Sequence, residues 1–248
     1  MNKYKSFKIN SKMNVKKSKD PFFHIIIDNF FDDMQLKELL KDWPSSNDYK
    51  WNNTRKKING EINLLENGIK SINDPSKLPL NWRNFFNFTH YDGNFINCIN
   101  NLFEKENLIP DQTYNWSGLR ENLPNSYQLI HSDALVHPIK GWKKYLTIMI
   151  YFDDAKIIRK GNLELWDKEM KSSKVSIKPL FNRLVIFECT PTSYHGVPQC
   201  DYLRRAFTMS FIDPTVKNNF LRNKAKFVAR PTDSKKVSEQ GLLRTKIN

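Results

Sequence analysis

The sequence predicts a mainly β fold with flanking helices (α+β), built as a sandwich or barrel. Three observations predict it. From about residue 114 to Asp213 the chain passes through short strand-like runs: SYQLI, KKYLTIMIYF, GNLELW, KVSIKPL, NRLVIF, HGVPQ and RRAFTMSFI. Gly, Asn, Asp and Pro separate them, and short strands at that spacing close into sandwiches or barrels. Helical signals lie almost wholly before this region. Finally, 248 residues suit one such domain with additions, and a hydrophobic fraction of 39% with 17 Phe and six Trp suffices for a core, which excludes a chain disordered throughout.

The elements follow in order. Residues 1–20 hold seven lysines and one acid and read as a flexible basic arm. PFFHIIIDNF (Pro21–Phe30) packs β-branched and aromatic residues together and reads as a buried strand. DDMQLKELLKDW then reads as a helix, with Asp32 or Asp33 as N-cap and Pro44 as stop. Its Leu36, Leu39, Leu40 and Trp43 share one face. Residues 45–80 are polar and read as loops with short elements. Trp82–Phe103 reads as partly helical, as does LFEKE. The expected organisation is an arm over 1–20, a domain over 21–212 and a basic extension over 213–248. Within the domain, a β core at about 115–212 is supported by 21–114.

The formal charge is +14 and the pI about 9.6. Such a balance suits an anionic partner (nucleic acid, a membrane surface, an acidic substrate), but most of it reads as lysine- and asparagine-rich solvated faces. Cys98, Cys189 and Cys200 have no paired spacing, which argues against a disulfide framework and for a reducing compartment. No apolar run is long enough to span a bilayer, and the first 20 residues lack the apolar stretch of a secretory signal. A cytoplasmic protein without membrane contact is expected.

The chemistry concentrates in HSDALVHPIK, His131–Lys140. Residues i and i+2 of a strand face the same way, so His131 and Asp133 can aim an imidazole nitrogen and a carboxylate oxygen at one point. Two histidines and one carboxylate on one face of a metal ion leave the opposite positions open, the arrangement of non-haem Fe(II) oxygenases. A third ligand should be a histidine far along the chain at a strand start, and His195 of YHGVP qualifies. Nine residues further on, Arg204 opens RRAFTMSF. Arg204, Ala206, Thr208 and Ser210 share one face of that strand; Arg205, Phe207, Met209 and Phe211 share the other. The first set is an odd core but a sensible pocket floor for a carboxylate, which guanidinium binds bidentately. An H-x-D alone often arises by chance on loops; the weight lies in the combination.

These residues, with KKYLTIMIYFDD, GNLELW, FNRLVIF and HGVP in their order and spacing, resemble the Fe(II)/2-oxoglutarate-dependent dioxygenases, close to the prolyl 4-hydroxylase branch. The match covers roughly residues 115–212, and PFFHIIIDNFF with its helix is also similar to the leading segment of many relatives. The resemblance implies a double-stranded β-helix, a jelly-roll (cupin-like) barrel with iron at its mouth. It implies that His131, Asp133 and His195 bind Fe(II), and that Arg204, helped by Thr208, pairs with the distal carboxylate of 2-oxoglutarate. Tyr151 falls where relatives often place a tyrosine that contacts 2-oxoglutarate; ordinary barrel packing explains it equally well. Lys160-Gly161 stands where relatives usually carry Gly-Gly. His137 reads as loop or rim, because no carboxylate stands at matching spacing around it, and His24 and His90 as core or surface. Arg183 and Arg205 rank below Arg204.

The implied reaction consumes O₂ and 2-oxoglutarate and releases succinate and CO₂ while hydroxylating a substrate, with ascorbate a further candidate reductant. Asp133 favours hydroxylation, because halogenating relatives lack this carboxylate. A peptidyl proline or similar residue is the first choice of substrate, and a free amino acid or other small metabolite the second. Nucleic acid ranks below both, because Ser210 stands where the demethylating branch places a second arginine. A catalytically silent jelly-roll module with basic ends for an anionic partner is the reading from another class.

Overall fold

In the computed structural model, which describes residues 7–48, 50–58, 60–154, 160–217, 224–230 and 233–246, the predicted runs become strands of one curled antiparallel sheet. The chain begins with β1 (Asn14–Ser18), β2 (His24–Asp28) and α1 (Asp33–Lys41). The short pairings β3 (Asn52–Asn53), β4 (Lys57–Ile58) and β5 (Glu61–Ile62) lead to β6 (Glu66–Ile72), α2 (Leu80–Tyr91) and α3 (Gly93–Leu102). Next come β7 (Ile109–Pro110), β8 (Gly118–Ser132), β9 (Trp142–Tyr151), β10 (Leu163–Trp166), β11 (Ser173–Ile177), β12 (Arg183–Glu188), β13 (His195–Val197) and β14 (Arg204–Lys217). β15 (Lys226–Phe227) and α4 (Lys235–Lys246) close the described chain.

The strand order is β1-β2-β12-β9-β14-β8-β13-β10-β11. The long β8 makes the roll: Gly118–Asn122 pairs with β14, whereas Gln128 and His131 pair with β13. It thereby passes from one wall of the barrel to the other. This mainly β roll is the architecture expected.

Alternation gives the larger wall two different faces. Leu146, Ile148, Ile150, Leu184, Ile186, Phe207, Met209 and Phe211 face outward and pack with Leu36, Leu39, Trp82, Phe85, Phe86 and Phe95 of the helices. Edge-to-face contacts such as Phe85–Phe207, centroids 5.1 Å apart, knit the layers. Each fully buried side chain of this size contributes about 1.5–3 kcal/mol. On the inner face, Met149, Tyr151, Val185, Phe187 and Ala206 pack with Leu163, Leu165, Ile177 and Val197.

Helix ends follow the local sequence. Asp32 accepts the Gln35 N–H at 3.0 Å as N-cap of α1, and Asp92 does the same for Phe95 in α3. The LFEKE segment is not helical, in contrast to the sequence reading. α3 stops at Leu102, Phe103 is its C-cap, and Glu104 sits at φ 54°, a left-handed conformation that ends a helix.

Both basic ends also depart from expectation. Residues 14–18 are the edge strand β1 paired with β2, and Phe7 is buried against Phe85 at 4.9 Å; residues 1–6 lie outside the described residues. Exposed Lys16 and Lys17 on β1 suit an edge, where charge discourages pairing with a second chain. At the other end, β15 adds to β8 opposite His131 and Ser132. Gln240 of α4 donates to the Ile62 carbonyl at 2.7 Å and accepts the Leu64 N–H at 2.9 Å. The extension is docked, because Phe227 and Gln240 are buried anchors.

Candidate metal centre

The antiparallel register sets His195, first residue of β13, directly opposite His131 near the end of β8, with ring centroids 4.3 Å apart. That approach requires Gly196: a Cβ there would lie 3.0 Å from the Gln128 carbonyl oxygen and 3.1 Å from the Ile130 nitrogen. Asp133 follows just beyond β8. Its Oδ1 lies 3.7 Å from His131 Nε2 and 3.8 Å from His195 Nε2. Those distances are too long for hydrogen bonds, and the three donor atoms lie within 4.8 Å of one another.

Neighbouring groups prepare each donor. The Nδ1 atoms of His131 and His195 lie 2.9 and 3.0 Å from the carbonyls of Leu129 and Ser193. A carbonyl only accepts, so each Nδ1 carries the proton and donates, leaving Nε2 a free lone pair. Burial pushes both imidazoles down, His131 to about 4, and keeps them neutral. Asp133 Oδ2 accepts from Lys144 Nζ at 2.8 Å and Thr147 Oγ1 at 2.6 Å, leaving Oδ1 free. Burial alone would raise Asp133, but the Lys144 ammonium above all, with both imidazoles, holds the carboxyl well below its usual range. Lys144 is only 4% exposed and lies over the Trp116 ring at 5.0 Å.

A cavity of about 210 Å³ connects this cluster to Arg204 and is also lined by Thr208, Ser210 and Met149. The Arg204 guanidinium is buried over the Tyr151 ring, 5.0 Å from its centroid. Its Nη2 donates to Tyr151 Oη at 3.1 Å, and its Nη1 donates to Asn122 Oδ1 at 3.4 Å. Its Nε is buried without a partner, and no described carboxylate pairs with it within 4.0 Å. Asp153 acts on it only from beyond contact distance, so the buried cation keeps a desolvation cost that an anionic ligand would offset. Thr208 lies on the same strand face, as the alternation of RRAFTMSF predicts.

The competing arginines are occupied elsewhere. Arg183 is bidentate to Asp28 at 2.6 and 2.9 Å. Arg205, on the opposite face from Arg204, lies by Glu121 and over Trp43. His137 is a correction: it is buried, with Nε2 3.2 Å from Asp111 Oδ1. Asp111 stands 26 positions earlier, so sequence spacing conceals the pair. His24 and His90 are both buried. Lys144, Trp116, Arg120 and Asn122 also line the cavity, and no motif in the sequence marks them.

Residues 119–212 match the family model of the 2OG-Fe(II) oxygenase superfamily. Over that stretch the chain is similar to that superfamily. Solved structures share the oxygenase fold. A Trichoplax adhaerens prolyl hydroxylase, solved with a hypoxia inducible factor peptide fragment, is 16% identical with a TM-score of 0.51, over 77% of this chain and 84% of that one. A Pseudomonas putida prolyl-4-hydroxylase is 13% identical with a TM-score of 0.56, over 76% and 91%. HygX from Streptomyces hygroscopicus, solved with nickel, 2-oxoglutarate and hygromycin B, is 8% identical with a TM-score of 0.51, over 78% and 84%. No curated protein matches.

The cofactors of that superfamily fit the residues present. Two neutral imidazoles and one carboxylate suit Fe(II), and Arg204, with no described carboxylate in contact, suits a dicarboxylate co-substrate. Where relatives usually have Gly-Gly, the single Gly161 occupies the demanding position. Its φ is 84°, and a Cβ there would lie 2.8 Å from Cys200 Sγ.

Proposed function

We propose that this protein is an Fe(II)- and 2-oxoglutarate-dependent oxygenase that hydroxylates a peptidyl proline or similar residue, consuming 2-oxoglutarate and O₂ and releasing succinate and CO₂. One observation carries the reading: Arg204, with no described carboxylate in contact, and the His131/Asp133/His195 cluster open into the same cavity. Bound Fe(II) and 2-oxoglutarate would supply the oxidising chemistry, one oxygen atom of O₂ entering the substrate and the other succinate. The protein's part is positioning and exclusion of water. His131, Asp133 and His195 hold the metal. Arg204 receives the distal carboxylate, with Tyr151 orienting the guanidinium and Thr208 beside it. The fold shared with prolyl hydroxylases supports a peptide substrate. The small cavity, and the fold shared with HygX, also support a free amino acid or small metabolite as the second reading.

Anaerobic titration of metal-free protein with Fe(II), then 2-oxoglutarate, tests the proposal through the visible charge-transfer band of a chelated keto acid. The band should form in the wild type and vanish in His131→Ala. Arg204→Ala should need at least about tenfold more 2-oxoglutarate. A wild type with no band would leave the catalytically silent module as the better reading. Proline-containing peptides with succinate detection then test the substrate.

A further inference from the structure

Arg120 stands in the wall of the same cavity and has no described carboxylate for a partner. The register of β8 puts it there. Leu119 and Glu121 are fully buried on the helical side, so Gly118, Arg120 and Asn122 face inward beside β14. Arg120 lies opposite Ala206, one strand position from both Arg204 and Thr208 along that face. Its Nη1 donates to Asn73 Oδ1 at 3.0 Å and to the Leu119 carbonyl at 3.1 Å. Those bonds turn the guanidinium away from Arg204, toward the Thr208 end of the floor. Its Nε and Nη2 have no partner among the described residues. Burial, with no acid nearby to oppose it, pushes the group down to about 10.

The charges of the cavity leave this cation over. Asp133 is balanced by Lys144, the two carboxylates of 2-oxoglutarate by Fe(II), and Arg204 already exceeds what the co-substrate needs. A second uncompensated guanidinium in the wall of a confined, low-dielectric site favours a further anion, and its free edge suits a planar carboxylate. We propose that Arg120 is a substrate-recognition residue that selects substrates bearing a carboxylate near the hydroxylated carbon. This rests on the oxygenase reading above and narrows its substrate class. The carboxylate has two natural sources, the α-carboxylate of a free amino acid or an acidic side chain adjacent to the target residue in a peptide.

Isothermal calorimetry on protein loaded with Mn(II) and 2-oxoglutarate without O₂ separates these sources. The probes are L-proline against L-prolinamide, and acetylated, amidated Ala-Pro-Asp against Ala-Pro-Asn. Within at least one pair, the carboxylate form should bind about tenfold or more tightly than its amide. Arg120→Gln should reduce that ratio to below about twofold, and Arg120→Lys should retain part of it. Affinity for 2-oxoglutarate, titrated separately, should change less than about threefold in both variants. Equal or absent binding of every carboxylate form in the wild type overturns the inference. So does an Arg120→Gln variant that loses 2-oxoglutarate instead, which would assign Arg120 to the co-substrate. Failure of the wild type to bind 2-oxoglutarate at all sinks the oxygenase reading itself, and the two failures are thereby distinct.

Discussion

Asp133 shows how one residue's environment decides its use. Its two oxygens are chemically alike, yet Lys144 and Thr147 both bond Oδ2, and only Oδ1 faces the imidazoles. A carboxylate held in this way presents one donor and little freedom to rotate. Cys189 Sγ is a third, longer contact to Oδ2 at 3.9 Å; Thr147→Val keeps the shape of the side chain and removes the shortest of these restraints. Outer partners of ligating groups typically govern about 10-fold or more of metal affinity. Fe(II) affinity, measured by anaerobic titration against a competing chelator, should therefore weaken by about that factor while the fold stays intact by circular dichroism. An unchanged affinity would mean that Lys144 and Cys189 position the carboxylate without Thr147.

At the scale of elements, legibility follows the hydrophobic period. RRAFTMSF alternates so clearly that its two faces, and Arg204 with them, are plain in the sequence itself. β9 and β12 are equally plain, because one face of each lies under the helices. β8 is harder: GLRENLPNS carries charges and Pro124, and only Leu119 marks the core side. Arg120 is hidden for that reason, since its inward direction follows only once β8 is known to run beside β14. β6, reading ENGIKSI, has too few apolar residues to announce a strand. The C-terminal extension reads as an appendage because its anchors, Phe227 and Gln240, stand alone in basic sequence. Yet Phe227 stacks on His131, centroids 5.0 Å apart, so the extension covers one flank of the His131/Asp133/His195 cluster. Gln240 holds α4 through two hydrogen bonds to the backbone around β5. Gln240→Ala leaves the half-buried Leu64 N–H and the carbonyl of exposed Ile62 without their side-chain partner, a local cost of about 0.5–1.5 kcal/mol for each bond. Amide exchange across 226–243 should accelerate by about tenfold while exchange in β9 and β14 stays slow. Uniform acceleration throughout would show that α4 unfolds only with the barrel.

The whole molecule is a barrel stabilised from outside by a layer of helices, and His90 sits at that junction. Its Nδ1 lies 2.9 Å from the Phe86 carbonyl within α2, and its Nε2 lies 2.9 Å from Ser117 Oγ just before β8. The carbonyl can only accept, so Nδ1 donates and Nε2 takes the Ser117 hydroxyl hydrogen. Both ring nitrogens are used by the neutral ring, and burial pushes His90 down to about 4. In the unfolded chain the same imidazole titrates near its ordinary value of about 6.5. Between these values the unfolded state binds a proton that the folded state refuses. The stability due to neutral His90 is therefore complete above about pH 6.5 and is lost progressively as the pH falls toward 4, by up to about 3 kcal/mol. His90→Gln can offer a donor and an acceptor but cannot titrate. Any packing loss from that substitution is the same at every pH, and contributions from the other histidines cancel between the two proteins. Urea unfolding at pH 7.5, 5.5 and 4.5 should thus show wild type and variant converging as the pH falls. Parallel losses would mean that His90 takes up a proton in the native state, and that the acid sensitivity of the helical layer originates elsewhere.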